Sequence, residues 1–378
     1  MLRGIMLRGF TLRAFMSQRG LAGGICSACL VALAILILLP AVFRGAPQDS
    51  GYRVIRTIPL GGEGGWDYVT VDADAKRVYI PRGTHVLVVD ETSGKVIADM
   101  PDMKGLHGVA VAPEFNRGFI TGNKSETEGV IYIFDLKTLK VTSEVKATGV
   151  DTDSLIYDPG SKRVFVNNGD GKNTTVVDAA NGTVAGTIAL DGGPEAAVAD
   201  GKGSVFVNIA DKGQMLEYDT KTLAIKNRWP ADPCKRPVGL SMDRAHRRLF
   251  MACQGANNIM AVMNADNGKV VTTMPIGIGA DGAAYDPAGG VVFVTSRDGG
   301  DGKNGVTKVF HEDSPDKYTL VADVKTIYGA RTISLDPKTH HIFTIGTEKN
   351  DPVPPTEKNP NPRPRPDPST FQLLEIGK

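Results

Sequence analysis

The chain has 378 residues, of which 41% are hydrophobic and 22% charged, which is enough apolar material for a large folded domain. Its 43 basic and 42 acidic residues nearly cancel, so no charge excess favours nucleic acid or an anionic membrane surface as a partner. The 44 glycines are spread along the chain, a composition typical of short strands joined by frequent turns.

The first 43 residues differ from the rest. Residues 1–20 contain four arginines and no acidic residue, which is typical of a basic cytoplasmic n-region. The uncharged run at residues 21–43, LAGGICSACLVALAILILLPAVF, is long enough to cross a bilayer as a helix. We interpret it as a signal anchor or uncleaved signal, with a cleaved signal peptide as the alternative, because Arg44 disfavours cleavage after Ala46. After a linker at residues 44–51, the remainder is expected to be periplasmic or otherwise extracytoplasmic.

A repeat of about forty residues runs through residues 52–378. Each copy has a short strand, a polar turn and a second strand, as in VTVDADAKRVYIPRG, LIYDPGSKRVFVNNG and AAYDPAGGVVFVTSR. Most copies continue with a third strand ending in Asp, a tight turn such as SGK or NGT, and a fourth strand. Seven copies are present, which predicts an all-β fold: a seven-bladed β-propeller with four antiparallel strands per blade.

The seventh copy lacks a fourth strand, and an unmatched strand precedes the first copy. The unmatched strand is YRVIRTIPL at residues 52–60, and the seventh copy ends with TFQLLEIG. We therefore expect the N-terminal strand to complete the last blade, which closes the ring and removes an open edge. The proline-rich residues 348–369 interrupt this blade between its second and third strands and predict an extended loop. The loop is expected on the face of the propeller where the first strands begin at the central channel. It covers the channel, recruits a partner or has no role.

The second strands carry a family resemblance. RVYIPRG, RVFVNNG and SVFVNIA resemble the repeats of the YVTN-repeat, or YncE-like, propellers of bacteria. The resemblance extends over residues 52–348 and the last strand. It implies an exported propeller but no particular reaction, and some members of the family are associated with DNA binding. It carries over no catalytic residue, because the matching motifs are structural.

One position, five residues before the end of each first strand, is ionisable in six of the seven blades. Blade five alone has an apolar residue, Val238. In blade one this position is Asp67, and together with Trp66 it forms a Trp-Asp pair like that of WD repeats. A WD pair closes a third strand, however, whereas Trp66-Asp67 precedes a first strand. Because this position begins the strand that lines the channel, we predict a polar ring at one channel mouth. The ring residues are Asp67, His107, Asp153, Glu195, Asp281 and Arg331.

The predicted ring is rich in carboxylates. Acids this close together repel one another, and a cation, raised pKa values, or pairing with the ring's Arg and His relieves that repulsion. The alternatives to a ligand or ion site are a polar channel mouth without a ligand and, as the least favoured, a catalytic site. A divalent cation such as Ca²⁺ suits the oxygen-rich set Asp67, Asp153, Glu195 and Asp281.

The loops between second and third strands lie on the same face as the ring. Arg82 and His85 in blade one are examples of their mixed chemistry. These loops form either a binding rim or an ordinary solvated surface.

Cys234 and Cys253 are the cysteines outside the N-terminal segment. An exported chain with two cysteines favours a disulfide, and both are expected on the mouth face of blade five. A metal site there needs more ligands than His246, the one histidine between them. Two reduced core cysteines are the alternative.

The segment FHEDSPDKY at residues 310–318 contains three adjacent potential ligands. We expect a turn here, because neighbouring residues of a strand point to opposite faces and cannot form a metal cluster by themselves.

No Walker loop, dinucleotide-binding glycine loop, GxSxG, HExxH or CxxCH motif is present. We therefore predict a monomeric, exported or membrane-anchored module that binds a small ligand or a protein through the mouth face, and not an enzyme. The alternatives are a cation-dependent hydrolase or lactonase, and single-stranded DNA binding, which a carboxylate-rich mouth disfavours.

Overall fold

A computed structural model describes residues 50–348, 350–357, 359–360, 362 and 364–378. In this part of the chain, seven four-stranded antiparallel sheets form the blades of a propeller, which confirms the predicted fold class and blade count. Three single-turn 3-10 helices accompany the strands within the described ranges, at Pro113–Phe115, Ala210–Lys212 and Pro368–Thr370.

The blades follow one another along the chain, and within blades one to six the strands run in order from the channel outward. β1 (Arg53–Pro59) belongs to the last blade. Blade one contains β2 (Thr70–Asp72), β3 (Arg77–Pro81), β4 (Val86–Asp90) and β5 (Val96–Met100). Blade two contains β6 (Val109–Ala112), β7 (Arg117–Ser125), β8 (Glu128–Asp135) and β9 (Val141–Lys146). Blade three contains β10 (Thr152–Asp158), β11 (Arg163–Asn168), β12 (Asn173–Asp178) and β13 (Val184–Ala189).

The remaining blades repeat this arrangement. Blade four contains β14 (Pro194–Ala199), β15 (Ser204–Ile209), β16 (Gln214–Asp219) and β17 (Ile225–Pro230). Blade five contains β18 (Arg236–Asp243), β19 (Arg248–Gln254), β20 (Ile259–Asn264) and β21 (Val270–Pro275). Blade six contains β22 (Ile278–Asp286), β23 (Val291–Asp298), β24 (Asn304–Ser314) and β25 (Lys317–Ile327). Blade seven contains β26 (Ile333–Asp336), β27 (His341–Thr347), β30 (Phe371–Gly377) and β1. A separate pair of two-residue strands, β28 (Asn350–Asp351) and β29 (Arg365–Pro366), is inserted between β27 and β30.

The ring closes through the N-terminal strand, as predicted. β1 pairs antiparallel with β30, with Arg53 opposite Gly377 and Ile58 opposite Leu373. The last blade thus joins strands from both ends of the described chain, and the outer edge of β30 is paired instead of open.

The hydrophobic core lies between neighbouring blades. The third residue of every second strand is an aromatic ring that is fully buried, which explains the aromatic position of the repeat motif. In contrast, several outermost strands expose large apolar side chains, such as Val96 and Ile97 of β5. The seven buried rings are Tyr79, Phe119, Phe165, Phe206, Phe250, Phe293 and Phe343.

The Asp at the end of a first strand, or directly after it in blade four, is structural. In each case a carboxylate oxygen accepts a hydrogen bond from a backbone amide two or three residues further on, which fixes the following turn. The six residues are Asp72, Asp158, Asp200, Asp243, Asp286 and Asp336.

Cys234 and Cys253 form the predicted disulfide. Their sulfurs are 2.04 Å apart and their Cα atoms 5.5 Å apart. Both cysteines are buried in the hydrophobic core between blades four and five. The bond closes a loop with a sequence separation of 19 residues, for which the loop-entropy estimate is about 3 kcal/mol of stabilisation.

Two expectations from the sequence need correction. The turn predicted within residues 310–318 is present but begins later than expected: residues 311–313 belong to β24, which extends to Ser314, and the chain reverses at Pro315 and Asp316. Arg82 is not on a solvated rim either, because its side chain is fully buried. Its guanidinium donates hydrogen bonds to the carbonyls of residues 61, 62, 64 and 65, and lies 3.6 Å from the ring centre of Phe371.

Among the described residues, no helix is both long and apolar enough to cross a membrane. The predicted signal segment at residues 21–43 lies outside the described ranges.

Candidate functional site

The first strands of the seven blades surround a central channel. A cavity of about 560 Å³ lies within it, lined mainly by small or aliphatic side chains of these strands. Because the channel is narrow, only a few larger side chains enter it, and they set its chemistry. Two of these, Tyr68 and Asp281, line the cavity at the mouth where the first strands begin.

A β-bulge shapes the start of the first strand in four blades. The pairing register between first and second strands shifts by one residue, so that one residue of the first strand is extra. A bulge redirects the extra side chain out of the regular alternation. The extra residue is Val238 in blade five and Asp281 in blade six, and in blades three and four the shift falls at Asp153–Ser154 and Glu195–Ala196, so each bulge contains the ring position identified from the sequence.

Polar side chains from the second strands hold the ring backbone in place. Thr121 donates a hydrogen bond to the carbonyl of Asp153 at 2.6 Å, and the Asn167 amide donates to the carbonyl of Glu195 at 2.7 Å. Both donors are fully buried and both occupy the fifth position of the repeat motif. In blades two, three, four and six, the Thr or Asn of the motif therefore connects the second strand to the backbone of the ring position in the next blade.

One half of the ring forms a cluster around an imidazole. His107 Nδ1 lies 2.9 Å from Asp67 Oδ2 and 3.3 Å from Asp153 Oδ1. Burial by itself lowers the pKa of His107, but the hydrogen bond to Asp67 and the charge of Asp153 outweigh it, and the pKa is raised. The cluster therefore favours a protonated imidazole between two carboxylates.

Two arginines form ion pairs with the other two ring carboxylates, Asp281 and Glu195. Arg331 Nε donates to Asp281 Oδ2 at 2.6 Å, and its Nη2 lies 3.8 Å from Asp67 Oδ1. Arg236 Nη2 lies 3.1 Å from Glu195 Oε1. These pairs agree with the alternative that ring residues neutralise one another, but they leave the carboxylates in excess.

The excess negative charge is visible in the pKa values. Burial, followed by repulsion from Asp67, raises the pKa of Asp153 well above its usual range. Burial, followed by repulsion from Asp281, raises the pKa of Glu195 to about 7. Burial also raises the pKa of Asp281, although Arg331 opposes the shift. These shifts favour the protonated forms of the mouth carboxyls, and a positive charge near them opposes the shifts.

Sequence reasoning missed two members of the site. It identified the apolar Val238 as the residue at the ring position of blade five. Val238 is buried, and Arg236 of the same strand reaches the ring instead. It also missed Tyr68, whose pKa is raised well above its usual range by burial and then by four ring carboxylates. A signal for Tyr68 was present, because the residue following the ring position is small in the other blades: Gly108, Ser154, Ala196, Gly239, Gly282 and Thr332.

The predicted four-carboxylate cation site is not assembled as one cluster. Glu195 and Asp281 are each paired with an arginine. Instead, Asp67, His107 and Asp153 offer ligand atoms that lie within 4.8 Å of one another. Whether the ring binds a ligand or an ion stays a prediction.

No family model matches the chain. Two curated relatives are similar over 210 residues: the uncharacterized protein YncE of Salmonella typhi at 25% identity, and that of Salmonella typhimurium strain LT2 at 24%. Each match covers 53% of this chain and 47% of the relative, so the chain matches about half the length of these relatives.

Among solved structures, hydrazine synthase of Kuenenia stuttgartiensis is similar in fold, with a TM-score of 0.62 and 15% sequence identity. The match covers 75% of this chain and 94% of that chain, and at this identity it concerns the fold alone. The seven blades, the repeat motif with its buried aromatic and its Thr or Asn, and the similarity to YncE agree with one another. The chain is a seven-bladed β-propeller that is similar in sequence to the YncE proteins.

Proposed function

We propose that this propeller is a binding module that takes a small cationic ligand at the mouth of its central channel. The observation that carries the proposal is the excess of acid there: four carboxylates meet two arginines and one histidine beside a cavity of about 560 Å³. A concave site with a few convergent polar groups is the usual setting for a small ligand.

The chemistry of the ligand follows from what the site lacks. Asp153 and Glu195 have raised pKa values because burial, followed by repulsion from Asp67 and from Asp281 respectively, disfavours their ionised forms. A cation bound between them relieves both effects and releases a proton. Tyr68 lines the cavity, and an aromatic ring attracts an ammonium group placed over its face. We therefore expect a primary or quaternary ammonium compound.

A series of small ammonium compounds tests this proposal. Methylammonium, tetramethylammonium and 1,4-diaminobutane are titrated into the full chain, with calorimetry and thermal melting as readouts. At least one is expected to bind and to raise the Tm, and Asp153→Asn and Tyr68→Ala are expected to bind it about tenfold more weakly, the equivalent of about 1.4 kcal/mol. The control is Asp191→Asn, an exposed carboxylate paired with Arg228. No binding by any probe, or equal binding by all variants, contradicts the proposal.

A second candidate is a metal-dependent hydrolase or lactonase. It rests on one observation, the cluster of Asp67 Oδ2, His107 Nδ1 and Asp153 Oδ1. One imidazole with two carboxylates suits Zn²⁺ or Mn²⁺ better than the Ca²⁺ expected for an all-oxygen set. Solvent reaches the cluster, because the His107 side chain is 30% exposed, so a water ligand can complete the coordination.

Metal content distinguishes the two candidates. The full chain, loaded with Zn²⁺ and dialysed, is expected under the hydrolase hypothesis to retain the ion and to cleave a simple lactone, and His107→Ala is expected to lose both properties. Retention of the ion without turnover leaves a metal-dependent binding site. Absence of both metal and turnover rejects the hydrolase.

We further propose that the propeller acts outside the cytoplasm, anchored or exported by residues 1–43. The Cys234–Cys253 disulfide supports an oxidising compartment. Cell fractionation is expected to recover the protein in the periplasm or inner membrane, and in denaturant Cys234 and Cys253 are expected to react with maleimide only after a reductant is added. A cytoplasmic protein with two reactive thiols contradicts this proposal.

A further inference from the structure

Three potential metal ligands meet on the face opposite the mouth ring, at the junction of blades five and six. Asp243 ends β18, His246 lies in the following turn, and Glu312 lies near the end of β24. Asp243 Oδ2, His246 Nδ1 and Glu312 Oε1 all lie within 4.8 Å of one another. The extension of β24 beyond the expected turn brings Glu312 to this junction.

The spacing of these atoms suits coordination of a single ion. His246 Nδ1 is 2.7 Å from Asp243 Oδ2 and 3.4 Å from Glu312 Oε1. Two ligand atoms that each bind the same ion at about 2.1 Å lie about 3.0–3.4 Å apart. Only small side-chain movements are therefore needed to place an ion between the three atoms.

One ligand atom is buried without a partner. The Glu312 side chain is 5% exposed, and within the described part of the chain its Oε1 accepts no hydrogen bond. Its Oε2 accepts a hydrogen bond from the Tyr285 hydroxyl at 2.7 Å, which holds the carboxylate in place. A buried carboxylate oxygen without a donor is costly, and a cation directed at Oε1 removes that cost.

The surrounding charges leave the two acids uncompensated. Asp243 is 2% exposed and accepts hydrogen bonds from the Ala245 and His246 amides. Arg248, at the same junction, is already bonded to Asp316 at 2.8 Å. Two carboxylates with a neutral imidazole carry two negative charges, which a divalent ion balances. The His246 side chain is 53% exposed, so water can reach the open coordination positions.

We propose that Asp243, His246 and Glu312 bind a divalent first-row metal ion such as Zn²⁺ or Mn²⁺. The mixture of one imidazole nitrogen and two carboxylate oxygens suits these ions. Because the ligands come from two blades, the ion connects blade five to blade six. It therefore adds stability by binding the folded state alone.

The chain contains a natural comparison one blade further on. His340 Nδ1 lies 3.1 Å from Asp286 Oδ1, which makes a second His–Asp pair on this face, between blade seven and blade six. Within the described residues, no third metal-ligating group joins that pair. His340→Ala is therefore a matched control for His246→Ala.

The test uses the full chain with His107→Ala in every sample, so that the mouth ring does not contribute its cluster. After removal of metal with a chelator, Zn²⁺ is titrated by calorimetry. The His107→Ala protein without further change, called the parent, is expected to bind one ion per chain and to melt at a higher temperature with Zn²⁺. Glu312→Gln and His246→Ala are expected to weaken binding about tenfold or more and to abolish the Tm increase. His340→Ala is expected to match the parent.

Two results overturn the proposal. One is a Glu312→Gln protein that binds Zn²⁺ as tightly as the parent. The other comes from NMR of the parent with Mn²⁺: broadening of the His246 ring signals no stronger than that of His340. Because a Gln side chain can still accept the Tyr285 hydrogen bond, loss of folding is not expected to obscure the comparison.

Discussion

At the scale of single residues, the channel mouth shows how one backbone position acquires different chemistry in each blade. Asp153 and Glu195 occupy equivalent bulges, yet one faces an imidazole and the other a guanidinium. Solvent access and the partner on the neighbouring blade set the pKa of each carboxyl. These properties depend on contacts between blades that are distant in sequence.

Glu195 makes the proposed ligand binding depend on pH. Its pKa is raised to about 7, so the carboxyl is largely neutral below that pH and ionised above it. A cationic ligand prefers the ionised form, so its affinity is expected to rise as pH increases from 6 to 8. Glu195→Gln is expected to flatten this dependence. Calorimetric titration with the best-binding ammonium probe at several pH values measures it, and an equally steep profile in the variant contradicts the assignment.

Arg82 is expected to be important for stability and not for binding. Burial lowers its pKa to about 10, a value at which it remains charged. Arg82→Ala leaves a set of backbone carbonyls without donors and removes the contact with Phe371, so we expect a loss of about 3–5 kcal/mol in the free energy of unfolding. Chemical denaturation measures this loss. Arg228→Ala, which breaks an ion pair at the surface, is expected to cost about 1 kcal/mol or less. Equal losses in the two variants contradict the structural role.

At the scale of strands, the repeat motif combines two tasks. Its aromatic residue fills the space between blades, and its Thr or Asn binds the backbone of the next ring residue. Asn167 also donates to the Ser154 hydroxyl and accepts from the Thr174 hydroxyl, so its amide is fully used. The motif thus stabilises the fold and positions the mouth at the same time.

Asn167→Ala is expected to affect both stability and the mouth. Loss of the buried amide leaves the Glu195 carbonyl with one donor fewer and removes the hydrogen bond to Thr174, at a cost of about 2 kcal/mol. The apparent pKa of Glu195 is expected to shift because its backbone is less restrained. Denaturation and NMR titration measure the two effects. The control is Thr187→Ala on the exposed outer strand of the same blade, and indistinguishable behaviour of the two variants contradicts the expectation.

At the scale of the whole molecule, stability depends on closing the ring between blades seven and one. Arg56 of β1 donates to Glu375 Oε2 at 2.7 Å and to the Thr92 carbonyl at 2.8 Å, which connects the last blade to the first. Glu91 lies at the same junction near Asp336. Its burial, and then the neighbouring Asp336, raise the pKa of Glu91 from 4.5 to about 8.

This junction is expected to weaken as pH rises. The folded protein holds a proton on Glu91 that the unfolded chain releases near pH 4.5, so stability falls between about pH 4.5 and 8. Glu91→Gln is expected to reduce the loss of unfolding free energy between pH 4.5 and 8 by about 1 kcal/mol. This is well below the full linkage value, because the pocket is open to solvent. Thermal melts from pH 4.5 to 9 measure it. Glu126→Gln, an exposed carboxylate, serves as the control, and a Glu91→Gln slope equal to wild type contradicts the prediction.

The sequence by itself determined the architecture, because every blade repeats the same local pattern of strands, turns and buried rings. It also determined the closing strand, the cysteine pair and the ring positions, since these follow from counting within a repeat. It did not reveal the roles of Arg82, Arg236 and Tyr68, nor the meeting of Glu312 with Asp243 and His246. The tertiary structure decided these, because they depend on bulges, on the length of β24 and on contacts between blades. Those contacts follow from packing, which no local pattern in the chain records.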